Sequence, residues 1–162
     1  MNARSFFGAA VTAVAITLAG NTIAAGAPND HLVEADLSDF MVGDTVYFSD
    51  WLGSANCAIH PNGDVGCDLR PGYTLWGIIP ITDVTIDTPA LPAHPTFGLG
   101  GQHGRPGSRW ITDVPRQDGV VYQGTRISYA GVTCIGGLPH GAATNCSAKG
   151  HNFTLGSRVQ IS

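Results

Sequence analysis

The four cysteines of this chain fall into two local pairs, Cys57/Cys67 and Cys134/Cys146, and each pair brackets a short stretch of turn-forming residues. That spacing constrains the fold more than any other feature of the sequence. Cys57 and Cys67 lie symmetrically about Asn62, so His60-Pro61-Asn62-Gly63-Asp64 reads as a reversal in which Pro, Asn and Gly supply the backbone angles. Cys134 and Cys146 lie symmetrically about His140, and Gly136-Gly137-Leu138-Pro139-His140-Gly141 reads the same way. In either hairpin the cysteines stand directly opposite each other, at a separation that suits a disulfide. Four cysteines allow three connectivities, and the symmetry favours the two local bridges. Closing loops this small stabilises by roughly 2–3 kcal/mol each on the chain-entropy account.

Disulfides imply an oxidising compartment, and the N-terminus agrees. Arg4 precedes an apolar run from Phe6 to Ala19, which ends in the small-residue tail Ile23-Ala24-Ala25-Gly26-Ala27. This is the layout of a cleavable secretory leader over residues 1–26, with cleavage between Ala24 and Ala27. The apolar run is shorter than the roughly 20 residues of a membrane-spanning helix. There is no twin-arginine pair, and Asn21 stands where a lipoprotein would carry cysteine, so neither folded export nor a lipid anchor is expected. The remainder, 27–162, has the length of a single domain. It is expected outside the cell, free or associated with the cell wall.

Charged residues make up only 12% of the chain, against 22 glycines, a composition closer to a turn-rich β-protein than to a helical one. Between Asp30 and Asp87 there are ten acidic residues and one basic residue, Arg70. From Thr88 to Ser162 there are six basic residues and two acidic ones. The two halves either cancel by packing together or orient the molecule on a partner. An acidic chain whose single lysine is Lys149 is poor material for gripping phosphates, which argues against nucleic acid as a partner.

Strand-like segments run over Thr45–Ser49, Tyr73–Ile79, Thr82–Ile86, Val120–Gln123, Arg126–Tyr129, Asn152–Leu155 and Arg158–Ile161, each bounded by Gly, Pro, Asn or Asp. Only Asp30–Met41 admits a helical reading. Gly43-Asp44-Thr45 before Cys57 and Gly124-Thr125 before Cys134 form a faint internal echo, compatible with two related hairpin modules. Between them lies a crossover, 88–117, with prolines at 89, 92, 95, 106 and 115 and glycines at 98, 100, 101 and 104. The expected architecture is all-β, a small sandwich or partly open barrel carrying two stapled hairpins.

Standard catalytic signatures are missing. Gly98-Leu99-Gly100 begins like a dinucleotide loop, but His103 occupies the third glycine position. There is no nucleophile elbow, no phosphate-binding loop and no His-Glu-x-x-His, and Glu34 is the one glutamate. His94, His103, His140 and His151 lack tight ligand spacing, so no metal and no cofactor is assigned. The best candidate for ligand binding is the end of the crossover. There His103, Arg105, Arg109 and Trp110 combine an aromatic ring with two guanidiniums, a set that suits an acidic or carbohydrate ligand.

Two blocks resemble a known group. Phe48-Ser49-Asp50-Trp51-Leu52-Gly53-Ser54-Ala55-Asn56-Cys57 with Gly63-Asp64-Val65-Gly66-Cys67-Asp68-Leu69, and Ile127 to Cys134 with Thr144-Asn145-Cys146 and Gly150-His151-Asn152-Phe153-Thr154-Leu155, are similar to small secreted actinobacterial proteins of mycobacterial type, an uncharacterised family. The chain departs from their pattern at Asp50-Trp51-Leu52, where they carry a Pro-Ser turn, and at Asn152, where they carry glycine. The resemblance implies an exported, disulfide-stapled β-domain and transfers no catalytic residue.

Three functional expectations follow. The first is a secreted, non-catalytic binding or envelope-associated module, leaning away from an enzyme. The second is a small extracellular hydrolase, which needs His94 or His103 within hydrogen-bond reach of Asp83, Asp87 or Asp113. The third is a self-associating protein whose acidic half meets the basic half of the next copy.

Overall fold

A computed structural model describes residues 30–138 and 144–162. The leader lies outside them, as does Pro139-His140-Gly141, the second half of the turn expected at Gly136–Gly141. The fold is all-β, with two open sheets and no closed barrel. The smaller sheet runs, in spatial order, β2 (Met41–Val42), β3 (Thr45–Ser49), β4 (Ala55–Ile59), β5 (Val65–Leu69) and β8 (Asp83–Ile86). The larger runs β1 (Asp30–Glu34), β9 (Tyr122–Tyr129), β10 (Val132–Gly136), β11 (Thr144–Ala148), β12 (His151–Leu155), β13 (Val159–Ile161), β6 (Thr74–Leu75) and β7 (Ile79–Pro80). Val46, Phe48, Ile59 and Val84 of the smaller sheet meet Ile127, Val132, Phe153 and Leu155 of the larger in one buried cluster. No helix among the described residues is long and apolar enough to cross a membrane.

Both staples form as the cysteine spacing predicts. Cys57 is paired in register with Cys67, and Cys134 with Cys146. Their Cα atoms are 4.0 and 4.1 Å apart, the close approach of a non-hydrogen-bonded antiparallel pair. All four sulfur-bearing residues lie in the core, so each bridge fixes both a hairpin and the face it turns inward.

Several boundaries differ from the sequence reading. Tyr73–Ile79 is broken by a turn at Trp76-Gly77 into β6 and β7. Tyr122-Gln123, the second half of Val120–Gln123, joins Arg126–Tyr129 as the single strand β9, with Gly124 inside it. A Cβ there would lie 2.6 Å from Leu138 Cδ2. Gly43, by contrast, has φ +67° in the β2–β3 turn, so the two halves of the internal echo occupy unlike positions. The helical reading of Asp30–Met41 gives way to β1 and a 3-10 turn at Leu37–Asp39, whose first turn is capped by Asp36 accepting from Ser38 N at 3.0 Å.

The two sheets bury their residues differently. β10 and β11 alternate buried and half-buried, as strands with one wetted face do. In β3, β4, β5 and β8 nearly every residue is buried, although their sequences alternate as well. The crossover 88–117 accounts for this by covering the outer face of the smaller sheet as a third layer. Its own Ala93 and Ile111 are buried, and isolated bridges tie His94 to Thr85 and Trp110 to Ser49. Gly104 sits so close to β4 that a Cβ would lie 2.0 Å from the Asn56 carbonyl oxygen.

Replacing Cys57 and Cys67 by alanine should lower the unfolding free energy by roughly 2–3 kcal/mol, read as a lower urea midpoint with β-structure retained. Gly104→Ala should cost about 3 kcal/mol through steric conflict with the Asn56 backbone. Limited proteolysis should then cut within 96–108, where the wild-type chain resists.

Candidate functional site

The outer face of the smaller sheet is polar, and its carboxylates fasten the crossover. Asp68 on β5 and Asp83 on β8 are register partners, so two like charges face the same layer side by side. Backbone amides of the crossover answer both. Asp68 accepts from His103 N at 3.1 Å and Gly104 N at 2.8 Å. Asp83 accepts from Thr96 N, Phe97 N and Gly98 N at 2.7, 3.2 and 2.9 Å, and from the Thr96 hydroxyl. Burial raises the Asp83 pKa, and this is the largest single influence; the Thr96 hydroxyl and the Gly98, Thr96 and Phe97 amides outweigh it together. The carboxyl is held below its usual range. A third aspartate, Asp50, is fully buried and braces the β3–β4 turn by accepting from Ala55 N at 2.7 Å and the Ser54 hydroxyl at 2.8 Å.

This frame separates the four residues singled out from the sequence. His103 faces inward, over Gly66. A Cβ on Gly66 would lie 2.7 Å from the imidazole Cγ and Nδ1, so the ring uses the space that glycine leaves. It lines a cleft of about 210 Å³ with His60, Asp64, Thr85, Asp87 and Thr96. Its buried Nε2 has no hydrogen-bond partner among the described residues and lies 3.9 Å from Asp83 Oδ2, while His94 Nε2 lies 3.8 Å from Asp87 Oδ1. These are the imidazole–carboxylate pairings that a hydrolase calls for, at more than hydrogen-bond distance. The hydroxyls beside them are committed elsewhere: Thr85 donates to Val65 O and Thr96 to Asp83. Asp113 accepts from the Trp110 amide and meets neither histidine. Among the described residues, no group of three or more His, Cys, Asp or Glu converges in a way that could hold a metal ion.

Arg105 and Arg109 do come together. Pro106 and Gly107, the latter at φ +77°, turn the chain between them, closed by Ser108 N donating to Arg105 O at 3.2 Å. Both arginines line a cleft of about 290 Å³ with Asp39, Phe40, Val42 and Tyr47. Arg109 is fixed there by Asp39 Oδ1 at 3.0 Å and lies 5.7 Å over the Phe40 ring. Arg105 is exposed and has no carboxylate partner among the described residues.

Trp110 is absent from that cleft. Its half-exposed ring lies against Gly53 in the β3–β4 turn, where a Cβ would be 4.0 Å from Trp110 Cζ2 and 3.6 Å from Arg70 Nη2. Trp110 and Arg70, the single basic residue of the acidic half, thus both approach Gly53, a neighbourhood that sequence proximity did not reveal. The charge asymmetry is met in part within the molecule. Among the described residues, Glu34–Arg126, Asp39–Arg109 and Asp64–Lys149 each join the acidic half to the later one, and Asp83 and Asp87 lie beside His103 and His94.

Asp83→Asn should destabilise the protein by about 2–3 kcal/mol, because the amide offers one acceptor where several donors converge. A carboxyl whose folded pKa is depressed contributes stability above its unfolded pKa and loses it as pH falls through the folded value. Urea midpoints should therefore decline below the usual carboxylate range in the wild type, and this part of the decline should vanish in Asp83→Asn.

No family model, curated protein sequence or solved structure matches the chain, so its function is argued from the geometry above.

Proposed function

We propose that the chain is an exported, non-catalytic binding module, associated with the cell envelope, that captures an acidic ligand in the Arg105–Arg109 cleft. The observation that carries this reading is the unequal state of the two guanidiniums. Arg109 is held by Asp39 and Phe40, whereas Arg105 stands without a carboxylate partner on the wall of the same cleft. A planar guanidinium with free donors, beside a fixed second one, suits a bidentate carboxylate or phosphate oxygen pair. Phe40 and Tyr47 add aromatic surface for the rest of the ligand. Trp110 and Arg70, both beside Gly53, offer a second contact for an extended ligand such as an acidic glycan. The leader-like N-terminus, the two staples and the resemblance to secreted actinobacterial proteins support a place outside the membrane.

The test is capture of acidic and neutral envelope polysaccharides by the disulfide-intact chain without its leader. Arg105→Ala should weaken capture of the acidic fraction about tenfold, and added salt should weaken it further, with the melting temperature unchanged. Trp110→Ala should weaken capture of long ligands more than short ones. Capture indifferent to Arg105 and to salt, or no capture of any acidic fraction, contradicts the reading.

A further inference from the structure

Four tight turns in this protein share one backbone shape, a residue followed by glycine with both at positive φ. They are Trp76-Gly77 (φ +53° and +78°), Phe97-Gly98 (+54° and +79°), Ala130-Gly131 (+48° and +81°) and Lys149-Gly150 (+52° and +86°). The shape itself makes no demand for a ring at its first position. Asparagine or glycine enters it most easily, alanine and lysine fill it in two of the four turns, and bulky side chains adopt it rarely. In the other two it carries an aromatic, and each time an aliphatic residue follows the glycine: Trp76-Gly77-Ile78 and Phe97-Gly98-Leu99.

None of these four side chains is used for packing. Trp76, Ile78, Phe97 and Leu99 are 67, 77, 60 and 92% exposed, and they are four of the five most exposed large apolar residues described. The segments 71–82 and 95–102 contain no Asp, Glu, Lys, Arg or His, and the carboxylate at the second turn, Asp83, is taken up by that turn's own amides. Both turns are held firmly. Ile78 N donates to Leu75 O at 3.2 Å, Leu99 N donates to Thr96 O at 3.1 Å, and Asp83 binds the Thr96, Phe97 and Gly98 amides. Asp83 follows β7 by three residues, so one short stretch, 79–83, connects the first tip to the anchor of the second. Its extended reach, about 17 Å, is the upper bound on the span of that connection.

From this we infer that the two turns are an interfacial anchor for a lipid surface of neutral net headgroup charge. The tips are convex and presented singly, whereas a protein interface offers a broad apolar centre inside a polar rim. Aromatic and aliphatic side chains on uncharged, rigid turns suit the headgroup boundary of a bilayer, where rings settle and where no directional partner is needed. The absence of basic residues around the tips, on a chain of net charge −4, excludes anionic headgroups as the attraction.

Co-sedimentation with phosphatidylcholine vesicles tests this, using the disulfide-intact chain without its leader. The wild type should sediment with the vesicles equally well at low salt and in high salt. Trp76→Asn and Phe97→Asn should each reduce the bound fraction at least about fivefold, and the double variant should abolish it. Asparagine suits positive φ, so melting temperatures should hold or rise. Arg105→Ala should bind vesicles as the wild type does, which separates this anchor from the arginine cleft. No sedimentation of the wild type, binding that survives the double variant, or a marked fall in melting temperature on Asn substitution overturns the inference. So does self-association that the Asn variants abolish in the absence of lipid, since the tips would then join copies of the chain.

Discussion

Asp68 and Asp83 stand opposite each other on adjacent strands, and what keeps two carboxylates there is a loop. Like charges in register on one sheet face disfavour pairing, yet both are satisfied by amides of 96–104. The dependence runs both ways. Bridges at His94 and Trp110 tie the crossover down on either side, and between them the carboxylates hold 96–104, a stretch that contains the four clustered glycines. Without the crossover, the polar face of the smaller sheet would present unneutralised acids to solvent. The disulfides set the inner faces of the hairpins, and these aspartates set the outer layer.

In the proposed reading, function is positioned by a loop fastened to the sheet through Asp68 and Asp83. The Phe97 turn exists where it does because Asp83 gathers three consecutive amides. His103 and Gly104 are fixed on Asp68, and directly after them Arg105 enters the turn that sets its spacing from Arg109. The arginine cleft and the aromatic tip are thus products of one anchoring scheme, though they face different partners in the reading given above.

Much of this was legible in the sequence. The staples followed from Cys57, Cys67, Cys134 and Cys146 standing symmetrically about turn residues, a local signal that tertiary context did not override. The internal cancellation of the acidic and basic halves was open to inference from their opposite charge, and the Lys149–Asp64 contact is one of its forms. Other features were not legible. In Val65-Gly66-Cys67-Asp68-Leu69 the alternation implies a wet polar face, because a sequence pattern cannot distinguish a face turned to water from one turned to loop amides. The grouping of His103, Arg105, Arg109 and Trp110 rested on closeness along the chain. Where the segment extends along Ser49, successive side chains leave it on opposite sides, which sends Trp110 to Gly53 and Arg70 and away from Arg109. Trp76-Gly77 lay within an apparently continuous strand, since a bulky aromatic is an unexpected first residue for a turn at positive φ.

The central claim is that the crossover is a fixed third layer, fastened through Asp68 and Asp83. Residue-resolved amide hydrogen exchange on the native protein tests it most directly. The account predicts that the amides of Thr96, Phe97, Gly98, His103 and Gly104 exchange nearly as slowly as those of the stapled hairpins, despite lying outside any strand. Exchange of these amides at the rate of an open loop, while the hairpins stay protected, would contradict it.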